Sequence, residues 1–219
     1  MIKIEPTRSA DATIIWLHGL GASGHDFEHI VPLLNLPSFL NIRFLLPHAP
    51  LRAVTLNRGM RMPAWYDIYS LERFEEEDEK GIKETQSSVN AWIQSEINKG
   101  IAPERIFLAG FSQGGAVALY TGLRHPQRLG GILALSTYLP LAKKLKNEAS
   151  EVNKKIPIFM AHGYDDSILP LRFGQLSKEV LESEGYAVQW HTYPMDHSVC
   201  PEEIQDISRW VQKNIMVMG

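Results

Sequence analysis

Residues 105–120, Arg-Ile-Phe-Leu-Ala-Gly-Phe-Ser-Gln-Gly-Gly-Ala-Val-Ala-Leu-Tyr, leave the chain little freedom. A short run of large and β-branched apolar residues meets Gly110-x-Ser112-x-Gly114 and passes straight into an Ala/Leu pattern of helical spacing. That predicts a strand, a sharp turn and a helix. The turn puts Ser112 at a strained backbone corner, with Gly110 and Gly114 beside it because a Cβ at either position would collide with neighbouring backbone. The corner lifts the Ser112 hydroxyl above the sheet edge. It also aims the backbone N–H of Gln113, with the positive end of the new helix, at the space above that hydroxyl. Gly-x-Ser-x-Gly alone arises by chance in roughly 8% of chains this long at ordinary glycine and serine usage. The strand before it and the helix after it carry the reading.

The rest of the chain supplies partners for such a corner. Residues 12–17 form a continuous apolar run, expected as a strand covered on both faces, and it ends in His18-Gly19-Leu20-Gly21-Ala22-Ser23-Gly24. Two readings of this glycine-rich loop compete. Gly19-x-Gly21-x-x-Gly24 formally matches a dinucleotide cradle, but a histidine precedes it and no acidic residue ends an obvious second strand where a ribose would be held. The alternative is an oxyanion loop of the His-Gly type found in esterases, in which the Leu20 N–H is the second donor and His18 orients the loop. Residues 25–36 are expected as a helix and 41–46 as a strand. Residues 51–80 make a connection too long for a compact domain, apolar without clear periodicity, and such segments are candidates for lining a pocket mouth. Glu72 to Lys80 carries six acidic residues in nine, expected as a solvated loop or helix start.

Helix 85–98, strands at 129–135, 156–161 and 188–193, a helix at 173–184 and an amphipathic C-terminal helix complete the pattern. Strands alternating with helices predict a mostly parallel sheet covered on both faces, with function gathered at the C-terminal strand ends. No repeat or linker splits the chain, so residues 1–219 are expected to form one domain. A net charge of −3 and a pI near 6.2 give no basic field, which argues against a nucleic-acid partner. Cys200 is the sole cysteine, excluding an internal disulfide and a multi-cysteine metal site. The start of the chain lacks the apolar core of a signal peptide, and no apolar run approaches the length of a membrane span. A cytoplasmic location without stable membrane insertion is therefore the expectation.

A serine hydroxyl is a poor nucleophile unless a base stands within hydrogen-bond reach and a third group orients that base. Both follow downstream, in the order Ser, Asp, His that belongs to this type of turn. His197, between the last strand and the last helix, is the candidate base. Asp165 and Asp166 are adjacent candidates for the acid, and Asp196 is a weaker rival, since neighbouring residues rarely place their side chains face to face.

Gly110-Phe111-Ser112-Gln113-Gly114-Gly115, His18-Gly19-Leu20-Gly21, Pro63-Ala64-Trp65-Tyr66-Asp67, His162-Gly163-x-x-Asp166 with Pro170, and His197-Ser198 together resemble the carboxylesterase and acyl-protein thioesterase (lysophospholipase-like) family of α/β-hydrolases. The five motifs occur in order and cover nearly the whole chain. The resemblance implies an α/β-hydrolase fold without a large separate lid domain. It implies Ser112 as nucleophile, His197 as base and Asp166 as its orienter, with Leu20 and Gln113 as the oxyanion donors and neither metal nor cofactor. It further suggests that residues 51–74 and the Tyr138-Leu139-Pro140 loop flank an acyl groove, with Trp65, Leu56, Met62, Tyr138 and Leu139 as candidate substrate contacts.

The expected reaction is two-step hydrolysis of a small or lipid-like acyl ester through an acyl-enzyme, favouring short to medium chains. Long-chain thioester or lysophospholipid cleavage is the alternative within the class. Because the base must be neutral to take a proton, activity is expected to climb from acid toward neutral pH. A non-catalytic binding module on the same fold is the reading from another class, and labelling by a fluorophosphonate probe separates the two. A cysteine-dependent hydrolase is excluded because serine holds the elbow, which leaves Cys200 as a packing residue. A homodimer is compatible with the sequence.

Overall fold

The computed structural model describes residues 1–70 and 76–217. Among the described residues there are nine strands: β1 (Ile2–Ile4), β2 (Ala12–Leu17), β3 (Ile42–Leu46), β4 (Leu51–Val54), β5 (Met60–Pro63), β6 (Ile106–Phe111), β7 (Gly131–Leu135), β8 (Ile158–Gly163) and β9 (Val188–Tyr193). The helices are α1 (His25–Glu28), α2 (Ile30–Leu33), α3 (Glu79–Asn98), α4 (Gln113–Arg124), α5 (Leu145–Glu148), α6 (Leu171–Ser183) and α7 (Pro201–Val217). Seven strands form one sheet in the order β1-β3-β2-β6-β7-β8-β9, all neighbours parallel except the β1–β3 pair. This is the α/β-hydrolase fold expected from the motifs, and the described residues include no separate lid domain.

Period-two alternation along the central strands explains why they read as unbroken apolar runs. On β6, Ile106 and Leu108 face a core shared with Ile82, Val89 and Ile93 of α3 and Ala116 and Leu119 of α4. Phe107 and Ala109 face the opposite core, shared with Phe27, Ile204, Ile207, Trp210 and Val211. Both faces of the central strands β2, β6, β7 and β8 are thus sealed, while the edge strands β1 and β9 remain part-exposed. The C-terminal ends of β2, β6, β8 and β9 lead into the glycine-rich loop, the Ser112 corner, the Asp166 loop and the His197 loop.

Three local expectations are corrected. Residues 25–36 form two one-turn helices rather than one: Gly24 supplies no side-chain cap, and Pro32 brings no N–H to a longer ladder. Residues 51–63 contain a hairpin, β4 paired antiparallel with β5, whose turn uses Arg58 and Gly59 at positive φ. Helix α3 begins at Glu79 rather than 85, because the Asp78 carboxylate accepts the Gly81 N–H and Ile82 already packs in the core. The acidic run at 72–80 lies partly outside the described residues, as do Leu71 and Phe74. Its described part is a helix start, one of the two alternatives expected, since Asp78 and Glu79 open α3, but Glu77 is half-buried rather than solvated and its Oε2 accepts the Leu141 N–H at 2.8 Å.

Candidate active site

The corner at Ser112 has φ 53° and ψ −122°, a conformation that side chains avoid and that the surroundings must enforce. They do so from both sides. The Ser112 N–H donates to Leu135 O at 2.8 Å, and the Thr137 hydroxyl donates to Ser112 O at 2.6 Å. A Cβ on Gly110 would stand 2.2 Å from the Gly114 carbonyl, and one on Gly114 would stand 2.2 Å from Leu17 O. The glycines are there because β6, α4 and the end of β2 close on one another.

The relay side chains arrive on loops after β8 and β9. His197 Nε2 lies 2.9 Å from Ser112 Oγ, and its Nδ1 lies 2.7 Å from Asp166 Oδ2. A carboxylate cannot donate, so the Asp166 contact puts a proton on Nδ1, and in the neutral tautomer this leaves the Nε2 lone pair facing the serine hydroxyl. Burial by itself would push the Asp166 carboxyl up, but His162, His197 and the Leu169 N–H hold it well below the usual carboxylate range. Its Oδ1 accepts from the Ile168 and Leu169 N–H groups at 3.0 and 2.7 Å. Buried His162 stands 3.4 Å from Oδ2 while its Nε2–H donates to Leu169 O at 2.7 Å.

Among the three candidate carboxylates, Asp165 is exposed and makes no contact with the imidazole. Asp196 acts on backbone instead: its Oδ1 accepts the N–H groups of Ser167 and His197, both at 2.8 Å, which staples the His197 loop to the Asp166 loop.

His18 is buried, with Nδ1–H donating to Gly19 O at 2.7 Å and Nε2 accepting the Ala49 N–H at 3.0 Å. Burial lowers its pKa, and this neutral ring fixes the loop as expected. The Leu20 N–H makes no hydrogen bond among the described residues, and the Gln113 N–H belongs to the first turn of α4, where N–H groups have no partner within the helix. Gly24 is explained by packing rather than by a cradled phosphate, since a Cβ there would meet Leu46 O at 2.4 Å.

A cavity of about 440 Å³ opens over Ser112 and His197, walled by Leu20, Leu56, Ile68, Phe111, Tyr138 and Leu169. Of the five candidate substrate contacts, Leu56 and Tyr138 line it. The other three do not. Trp65 is 1% exposed, and its indole N–H donates to His18 O at 2.8 Å, so it braces the glycine-rich loop from behind. Met62 sits on the hairpin against Gly21, and Leu139 lines a separate cavity behind Tyr138. Position along a loop foretold their proximity but not the direction of their side chains.

A role missed in the sequence belongs to the Gln113 side chain. Its Oε1 accepts the Trp65 N–H at 2.9 Å and its Nε2 donates to Tyr66 O at 2.7 Å, tying the 65–66 segment to the Ser112 corner. An amide at the first position of a helix inside an apolar sequence was the available signal. Among the described residues no cluster of three or more His, Cys, Asp or Glu could hold a metal ion, and no helix is long and apolar enough to cross a membrane.

The phospholipase/carboxylesterase family model matches residues 2–215. Acyl-protein thioesterase 1 of Cryptococcus neoformans var. neoformans serotype D is 42% identical, the match covering 97% of this chain and 96% of the relative. Among solved structures, Arabidopsis thaliana SOBER1 superposes with a TM-score of 0.88 at 34% identity, over 93% of this chain and 99% of that one. Zea mays acyl-protein thioesterase 2 superposes with a TM-score of 0.87 at 29% identity, over 98% of each chain.

Proposed function

Because the chain belongs to the phospholipase/carboxylesterase family of α/β-hydrolases, we propose that it hydrolyses carboxylic esters through a covalent acyl-enzyme on Ser112. The observation that carries this reading is the unbroken relay from Asp166 Oδ2 through His197 to Ser112 Oγ, at 2.7 and 2.9 Å. His197 Nε2 takes the hydroxyl proton as Ser112 Oγ bonds to the acyl carbonyl carbon. Asp166 keeps the imidazole in the required tautomer and stabilises the imidazolium that forms. The negative charge on the carbonyl oxygen meets the N–H groups of Leu20 and Gln113, each worth on the order of 10²- to 10³-fold in turnover. Collapse expels the alcohol, which leaves with the proton from His197. Water, deprotonated by the same nitrogen, then releases the acid.

A second reading shares every step except the leaving group: the bond cleaved is a thioester carried by a long acyl chain. The names of the similar fungal and maize proteins favour it, as does an apolar cavity beside the hydroxyl. In either reading one domain suffices, with both oxyanion donors and all three relay residues on the same sheet edge. The substrate is a small or lipid-like acyl compound, and the cytoplasm is the proposed location.

The test is Ser112→Ala. Turnover of p-nitrophenyl butyrate should fall by at least about 10³-fold, and labelling by a fluorophosphonate probe should disappear. Undiminished turnover would remove Ser112 from the nucleophile's role.

A further inference from the structure

Tyr138 stands between two cavities. It lines the cavity of about 440 Å³ above Ser112 and His197. It also lines a second cavity of about 350 Å³, whose walls include Leu139, Leu141, Phe173, Leu176 and Val180. The two spaces share this residue, so Tyr138 is part of the wall between them.

Its position is fixed from three directions. Thr137, the residue before it, is bonded through its hydroxyl to Ser112 O at 2.6 Å, which sets Tyr138 close to the reacting centre. The Leu139 N–H, on the residue after it, donates to Ser177 Oγ of α6 at 2.8 Å. The Tyr138 hydroxyl lies 2.7 Å from the Tyr66 hydroxyl, and burial keeps both phenols protonated, so the bond between them is a neutral O–H to O contact. A ring held this firmly is a stop rather than a loose flap. Behind it the wall is apolar apart from Glu77, two lysines and Ser177. Burial raises Glu77 to about 7, so this carboxyl is uncharged in a large share of molecules near neutrality and disfavours an apolar neighbour less than a fixed charge would.

We propose that Tyr138 sets the acyl-chain length this protein accepts, its ring ending the cavity above Ser112, and that the chamber behind it takes the distal methylenes of long straight acyl chains once the ring is removed. This rests on Ser112 being the acylated residue. Chains that end before the ring gain from each added methylene, by about fourfold in kcat/KM for each one buried. Longer chains must bend back into water and lose that gain.

The experiment is a length series of p-nitrophenyl esters, from acetate through butyrate, octanoate and dodecanoate to tetradecanoate, below their aggregation concentrations. Wild-type kcat/KM should rise and then fall along the series. Tyr138→Ala should abolish the fall, raising the tetradecanoate-to-butyrate ratio by tenfold or more, from roughly two or more methylenes newly buried. Adding Leu176→Trp, a larger side chain on the chamber's own lining, should narrow it and bring the fall back. Should Tyr138→Ala not fold, Tyr138→Phe keeps the ring but releases it from Tyr66, and a shallower fall is expected. A length profile unchanged in the folded Tyr138 variant, or a long-chain gain that survives Leu176→Trp, would overturn the proposal. Ser112→Ala run on the same series separates the two claims: lost butyrate turnover there with an unshifted Tyr138 profile sinks the chamber alone, whereas retained turnover sinks the nucleophile.

Discussion

Two buried carboxyl groups flank the His197 loop in the chain and end in opposite states. Asp166, on the loop after β8, is 6% exposed, and Glu203, in the first turn of α7, is 0% exposed. Burial pushes both up. Asp166 receives two backbone N–H groups and faces two imidazoles, and these overcome burial and keep it ionised. Among the described residues Glu203 is approached only by the Cys200 backbone N–H, outside good hydrogen-bond geometry, and this offsets burial too little: burial raises it to about 8. Depth therefore does not decide charge at this site. The number of donors aimed at the carboxylate does, and the donors are supplied where the proposed relay needs a fixed negative charge.

The strongest way to break that contrast is Asp166→Asn. The amide keeps the shape but can donate, so it lets the imidazole settle with the wrong nitrogen protonated. Turnover of p-nitrophenyl butyrate should fall about 10⁴-fold with the fold intact by circular dichroism. A loss below about tenfold would mean that the charge gathered at Asp166 does no work on His197.

Glu203→Gln tests the other half. A folded pKa of about 8 against an unfolded one near 4.5 means that the unfolded chain gives up this proton first. Wild-type stability is then drained as pH climbs from about 4.5 to about 8 and levels off above. Asp166 has the reverse sign: its depressed pKa contributes stability above the unfolded value, lost as pH falls through the folded one. The Gln variant lacks the alkaline loss. In urea denaturation it should match wild type near about pH 5 and exceed it by on the order of 3 kcal/mol near about pH 9. Equal stabilities at alkaline pH would show that Glu203 finds a partner on ionising.

The same distinction between position and partner explains what the sequence revealed. Gly110, Ser112 and Gly114 were legible because the corner is local: strand, turn and helix follow from adjacent residues, and the glycines answer clashes a few positions away. The order Ser, Asp, His and the alternation of strands with helices were legible because they are one-dimensional, and the family read from the five motifs is borne out by the match over residues 2–215. The residues alone left Asp165, Asp166 and Asp196 open, because which of them faces His197 depends on a meeting of two loops. Trp65 was readable as apolar but not as turned inward toward His18 O, and the two bonds of the Gln113 side chain join residues 47 and 48 positions apart. The hairpin after Pro50 escaped notice because its strands are four residues each, although Gly59 at a positive φ marks its turn.

Asp196 sharpens the comparison from the side of exposure. It collects donors much as Asp166 does, from the Ser167 N–H, the Ser167 hydroxyl and the His197 N–H, and the Ser167 N–H is the main influence lowering its pKa. It does so in water, where each contact competes with solvent and with salt. If donors and burial multiply rather than add, removing this exposed carboxylate should cost far less than neutralising the buried one. Asp196→Ala should loosen the staple between the two loops and lower kcat roughly tenfold or less through misplacement of His197, with KM nearly unchanged. The salt dependence of wild-type kcat should weaken in the variant for the same reason. A loss as deep as that of Asp166→Asn would mean that loop positioning, rather than the charge beside the imidazole, limits the reaction, and would move the weight of the site from Asp166 to the stapled backbone.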